Sequence, residues 1–463
     1  MKRALALMTA VVLILAAVPA FAQGPGGNPP GDPPSGEMPG GSSPRGFGGN
    51  TAPGGKTSSF EYSAAAEITG ASSETDGIYV SDTADVSALI VNTANDVTLT
   101  NPTVTKTGDS DGGDNCNFYG LNAALLVMGG STTTITGGTV TSDADGANGI
   151  FSYGGNGGKN GASGDGTTVY ISDTVITTTG NGSGGIMTTG GGTTYASNLT
   201  VETSGRSSAA IRTDRGGGTV VVDGGTYTSN GLGSPAIYST ADITVSNAVL
   251  ISNLSEGVCI EGKNSIELID CNMTVNNTQC NGNATFLDAI MIYQSMSGDA
   301  DSGTSSFTMT GGSLISESGH MFHVTNTHAV INLSGVDLVN EDEEDILLSV
   351  CDDGWSGASN IAELNADAQT LGGTILVGSN STLILTLSNG SFFEGTISGE
   401  IINSKGSEIS TEVGTATVNL DETSTWTLTA DTYIAEFNGS LANVINGEYT
   451  LYVNGIAVSA SGQ

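Results

Sequence analysis

The chain is poor in positive charge, in aromatic rings and, past its first fifty-odd residues, in proline. Lys and Arg number 11 against 47 Asp and Glu, a formal net charge of −36. A surface of that sign repels phosphate backbones and anionic lipid, so nucleic acid and an anionic membrane surface are excluded as partners. The acidic excess reads instead as solubility for a Gly/Thr-rich exterior. Aromatics make up 5% of the 463 residues, too few for a broad round core; a long thin core of stacked Val, Ile and Ala stays open. Most prolines fall between Pro25 and Pro53, and beyond them only Pro102 and Pro235 remain. Such scarcity suits a ladder in which nearly every amide must donate sideways. The cysteines, Cys116, Cys259, Cys271, Cys280 and Cys351, are odd in number and lack metal-site spacing. Cys271 takes the place of a small packed residue, and Cys116 and Cys280, in loops, are the better disulfide candidates. After residue 22 no apolar run is long enough to span a bilayer, so no membrane insertion is expected.

What the chain does have is a period. Short Thr/Val-rich alternating runs end at Asn101, Gly137, Asp173, Asn198, Gly224, Asn247, Asp270, Gly311, Gly335 and Asn389, most of them 23 to 41 residues apart. Gly, Asn and Asp tolerate a left-handed backbone best, so their recurrence at one register means the same bend on every lap. Many strands and no credible helix predict an all-β chain, a single-stranded right-handed parallel β-helix of roughly a dozen coils. Alternation along each strand puts Ile211, Ile237, Val258 and Ile290 in one inward file and Val222, Val245, Leu268, Met309 and Leu333 in another. Three stretches break the period, 108–120, 154–166 and 276–288, and are expected to bulge from the rod and wall a binding surface.

The ends read differently. Lys2 and Arg3, an apolar stretch to Val18 and Ala20-Phe21-Ala22 have the form of a signal peptide (1–22) cleaved after Ala22, which predicts a secreted, extracellular or cell-surface protein. Residues 23–59, rich in Gly, Pro and Ser, form a disordered linker on composition. The β-helix is expected over 60–440, with C-terminal strands or a cap over 441–463.

One outward lane on the first strand of each coil stands out from a background of Thr and Ser. It reads Phe151, Met187, Arg212, Tyr238, Cys259, Met291 and His323; its companion reads Tyr153, Thr189, Asp214, Thr240, Glu261, Tyr293 and Thr325. Arg206, Arg212, Arg215 and Lys263 cluster around the same face. Aromatic planes stack on sugar rings while Arg, Lys and carboxylates bond hydroxyls and uronates. The expected ligand-binding strip is therefore Phe151, Tyr153, Arg212, Asp214, Arg215, Tyr238, Glu261, Lys263, Tyr293, Gln294 and His323, its partner a polysaccharide or cell-surface glycan. The competing reading pairs the charges with each other, Arg212 with Asp214 and Lys263 with Glu261. His320, His323 and His328 read as ordinary surface histidines, too loosely placed for a metal site.

The run Ser208-Ala209-Ala210-Ile211-Arg212-Thr213-Asp214-Arg215-Gly216-Gly217-Gly218-Thr219, together with Glu261-Gly262-Lys263-Asn264-Ser265, Tyr293-Gln294-Ser295-Met296-Ser297-Gly298-Asp299 and Val324-Thr325-Asn326-Thr327, resembles a family of secreted bacterial right-handed parallel β-helix proteins described as adhesin-like. The resemblance runs from about residue 60 to 440 and implies fold and export, with adhesion or polysaccharide binding as the activity. More remotely the architecture is similar to that of pectate lyases. A polysaccharide lyase would use Arg212 or Lys263 as base, with Asp214 and Glu261 holding Ca²⁺; a glycoside hydrolase would set Asp214 against Glu261 across the scissile bond. Non-catalytic binding needs fewer assumptions, since fold does not fix function. Thr132-Thr133-Thr134 and Thr177-Thr178-Thr179 suggest a third class, binding to ice or crystal surfaces, although Thr is also a good strand former.

Overall fold

The computed structural model describes residues 60–459 apart from 111, 158–162 and 296. The expected signal peptide and Gly/Pro-rich linker lie outside the described residues. Within them the chain coils as a parallel β-helix. Its first face is a sheet of 15 strands, from Ala64–Ile68 to Val444–Ile445, in which each strand pairs in parallel with the one a lap away. A second and a third face follow on each lap. They count as one sheet of 22 strands because Gly192–Thr203 and Gly218–Ser229 run unbroken through the bend between them. At about 4.8 Å per strand the first face is on the order of 70 Å long. It has more laps than the expected dozen.

All ten expected bends carry a positive φ, between 51° and 72°. The Asn members also bond to an Asp at the corner of the lap below: Asn101 Nδ2 donates to Asp76 Oδ1 at 2.6 Å, Asn198 Nδ2 to Asp173 Oδ1 at 2.6 Å and Asn247 Nδ2 to Oδ1 of Asp223, the residue before the Gly224 bend, at 2.7 Å. Left-handed geometry and a short side-chain amide ladder thus favour the same residues at the same corner.

The inward files pair as the sequence alternation predicts. Val222 faces Val245, then Leu268, Met309 and Leu333 follow in register, and Ile211 leads to Ile237, Val258 and Ile290. All belong to one continuous buried core. No lap can hide its apolar edge alone; its neighbours bury it, at about 25 cal/mol per Å². Cys271 is packed in that core. None of the five cysteines is in a disulfide: Cys116 is buried with Sγ 3.3 Å from Ser110 Oγ, and Cys280 Sγ stands 3.4 Å from the Phe286 carbonyl oxygen.

One expectation is corrected. The 108–120 insertion contains a short helix, Asp114–Tyr119, which Gly120 ends in the left-handed conformation (φ 77°). Strand periodicity carries no information about a segment that leaves the ladder. At the C-terminal end Trp426 is fully buried, its Nε1 donating to the Gly395 carbonyl at 3.1 Å. Beyond it the ladder gives way to an antiparallel hairpin, Leu451–Val453 with Ile456–Val458.

Candidate functional site

The expected recognition strip exists as an alignment and not as a surface. Phe151, Met187, Arg212, Tyr238, Cys259, Met291 and His323 stack in unbroken register on the first face. Every one of them is buried, as are Asp214, Glu261, Tyr293 and Gln294. Two of the insertions expected to wall a groove, 108–120 and 276–288, lie across the face instead. The Asp114–Tyr119 helix sits over the strand Ile186–Thr189, where the Phe118 carbonyl accepts from Thr189 Oγ1 at 2.7 Å and the Arg215 guanidinium stacks 4.2 Å from the Phe118 ring centroid. Further along, Phe286 stacks on His323 and Trp355 covers Tyr293. Tyr153, half-buried, packs against the Phe151 and Met187 cluster.

Beneath this cover the polar members partner one another. Arg212 Nη2 holds Asp214 Oδ2 at 2.8 Å, as the pairing alternative has it, and Arg215 Nη2 holds Asp299 Oδ1 at 2.6 Å. Lys263 pairs with Asp301 at 3.1 Å rather than with Glu261. Glu261 accepts from Tyr238 at 2.6 Å, Tyr293 at 3.2 Å, Ser297 at 3.1 Å and from Ser295. Burial raises the Glu261 carboxyl above its usual range, against the pull of the Ser295 and Tyr238 hydroxyls. Burial likewise pushes Asp214 up to about 7; Arg212 opposes the shift and Asp299 adds to it. Two carboxyls so enclosed cannot reach a polymer across a scissile bond, so Arg212, Asp214, Glu261 and Lys263 do not form the open lyase or hydrolase site set out above. Among the described residues no group of three or more His, Cys, Asp or Glu is placed to hold a metal ion, and the expected Ca²⁺ ligands Asp214 and Glu261 are engaged as described.

The histidines also depart from expectation. His328 is part-exposed and pairs with Glu363 at 2.8 Å. His320 and His323 are buried, and each places Nδ1 on Ser349 Oγ, at 2.8 and 2.7 Å.

With the first face covered, the open lane of the second face becomes the candidate site. Its outward file runs Thr134, Tyr170, Tyr195, Val221 and Thr244, one residue per lap. The Tyr170 and Tyr195 rings stack with centroids 5.1 Å apart and planes 11° from parallel, while 43% and 40% of their surface stays open to solvent. They floor a groove of about 240 Å³ whose bend-side rim carries Ser172, Ser197 and Asp223. Farther along the same file the polar members form a ladder, Asn332 Nδ2 donating to Thr308 Oγ1 at 3.1 Å and Asn365 Nδ2 to Asn332 Oδ1 at 3.0 Å. Sequence reading passed over the tyrosines because alternation marks both first-face and second-face lanes as outward. The available signal was two tyrosines in the same place on successive laps.

Compared with known proteins, the chain finds no significant match to any family model, to any curated protein or to any solved structure.

Proposed function

We propose that the protein is a non-catalytic glycan-binding or adhesive β-helix, and that it works through the exposed second face rather than the first. The observation that carries this reading is the Tyr170–Tyr195 stack. The two rings stack face to face along a file that advances one lap at a time, and their open edges, with the outer face at either end of the stack, form an exposed aromatic strip along the groove. The apolar faces of sugar rings pack against such an aromatic strip, and the hydroxyls and carboxylate along the rim, Ser172, Ser197 and Asp223, bond sugar hydroxyls. A rigid ladder spends little ordering entropy on binding because its contact groups are already in place. A neutral polysaccharide suits the site better than a uronate polymer, since the groove carries Asp223 and no basic side chain and the whole chain is acidic.

The test is co-sedimentation with insoluble neutral polysaccharides such as cellulose and chitin. The intact protein is expected to pellet with at least one of them. Tyr170→Ala together with Tyr195→Ala should weaken that binding at least tenfold, about 1.4 kcal/mol, without changing thermal stability by more than the loss of two surface side chains allows. Retention of full affinity by the double variant would overturn the assignment of this face.

A further inference from the structure

A second open cavity, of about 500 Å³, lies beside the first-face strands His320–Thr325, Ile346–Val350 and Thr370–Val377. It opens where the antiparallel hairpin Glu400–Ile402 and Glu408–Thr411 folds over the sheet, its backbone tied to the 276–288 insertion by the Ser404 amide donating to the Thr285 carbonyl at 2.9 Å. His320 reaches its floor, Asp342, Glu344 and Glu400 line its sides, and Ile346 and Leu376 supply apolar wall. No basic residue lines it. Lys405, the hairpin's cation, directs its ammonium to the Ala284 carbonyl at 3.3 Å.

What distinguishes the cavity from a chance gathering of acids is the state of its histidine. His320 is 7% exposed. Its Nδ1 is committed to Ser349 Oγ, and Ser349 is shared with Nδ1 of His323, whose Nε2 stands 3.4 Å from Asp353 Oδ2. Asp353 accepts from the Thr285 amide at 2.8 Å and from Thr285 Oγ1 at 2.6 Å. Burial works to raise its carboxyl, yet these bonds and His323 hold it below the usual range, as a carboxylate. With the His323 proton on Nε2, on the side of that anion, Nδ1 would accept from Ser349, and the Ser349 oxygen would in turn accept from Nδ1–H of His320. Burial lowers the His320 imidazole to about 3, so it stays neutral. Its Nε2 is left as a bare acceptor, and among the described residues no hydrogen bond to it is found. A neutral lone pair at the floor, three carboxylates around it and a short apolar wall complement one kind of group, a protonated primary amine on a hydrocarbon stem.

We infer that this cavity binds primary alkylammonium groups, with His320 Nε2 accepting from the ammonium, Asp342, Glu344 and Glu400 balancing its charge, and Ile346 and Leu376 packing its stem. The group could reach the cavity as a free diamine or as a lysine side chain, and the two are separated by the probe. Ligand-observed NMR titrations of the intact protein with cadaverine, Nα-acetyl-lysine N-methylamide, n-butanol and butyrate are the experiment. Either amine, or both, should bind at least tenfold tighter than n-butanol, and butyrate should not bind; whichever amine binds tighter identifies the source. Glu344→Gln with Glu400→Gln, two exposed positions that leave the fold intact, should weaken amine binding at least fivefold. Glu422→Gln with Glu448→Gln, equal in charge removed but away from the cavity, should not. Long-range ¹H–¹⁵N spectra should show His320 protonated on Nδ1 and its Nε2 shift moving with added amine. Equal binding of amine and alcohol, equal loss in both charge variants, or a His320 proton resting on Nε2 would each overturn the proposal.

Discussion

At the bend of each lap one residue must enter the left-handed region, and the position that follows it lies so close to the lap below that its side chain is tightly limited. Gly311 and Gly312 show the two demands side by side, with φ of 64° and 68°. A Cβ on Gly312 would run into the Cys271 carbonyl oxygen, whereas a Cβ on Gly335, also left-handed at 62°, would meet nothing within 4 Å. Gly335→Ala therefore carries conformational strain alone, about 1 kcal/mol, and Gly312→Ala carries that strain plus a backbone shift. Denaturant unfolding of the two variants should rank Gly312→Ala as clearly the more destabilising; equal losses would mean the second bend position is not crowded. Asn and Asp were legible at the first bend position because their preference is intrinsic to the residue. Ala368, left-handed at 49° in the same corner, was not, since nothing in an alanine signals a strained backbone.

At the scale of elements, the segments that leave the ladder decide what the first face can do. Trp355 lies over Tyr293 with centroids 4.8 Å apart and belongs with Tyr238, Cys259 and Met291 to a buried cluster distinct from the inner core. Removing it, Trp355→Ala, should uncover that cluster at a cost of about 3–5 kcal/mol, felt locally. Hydrogen exchange is expected to accelerate over 293–299 and 351–360 while strands of the second face keep their protection. Uniform acceleration along the molecule would show instead that cover and ladder unfold as one unit. The period breaks made the 108–120 and 276–288 insertions visible in the sequence. Their docking across the strip was not visible, because packing of a loop onto a sheet depends on contacts such as Phe286 on His323 that have no fixed spacing.

For the molecule as a whole, the buried carboxyls set a pH dependence. Burial raises Asp214, Glu256, Glu261 and Asp288 above their ordinary range, with neighbouring carboxyls adding to the shift at Asp214, Glu261 and Asp288. A group whose folded pKa is raised binds its proton more tightly in the native state. For Asp214 the stabilisation is complete below its unfolded value near 4 and is lost as pH climbs through about 7. Asp353 runs the other way, its contribution lost as acid protonates it. The melting temperature should therefore peak in mild acid and fall between about pH 5 and 8, a trend that a formal net charge of −36 reinforces. Asp214→Asn should flatten the upper limb of that profile. An unchanged limb in the variant would remove Asp214 from the account.

The amino-acid sequence by itself determined the period, the corners, the register and both inward files, because these follow from backbone preference and from strict alternation, properties that each residue brings with it. It even placed Arg212 beside Tyr238 and Glu261 beside Tyr293 before any coordinates. Which outward lane meets water follows from the packing of the whole chain. Alternation separates inside from outside one strand at a time, whereas exposure depends on where distant insertions settle, and here they enclose the lane through Arg212 and leave the one through Tyr170 and Tyr195 open.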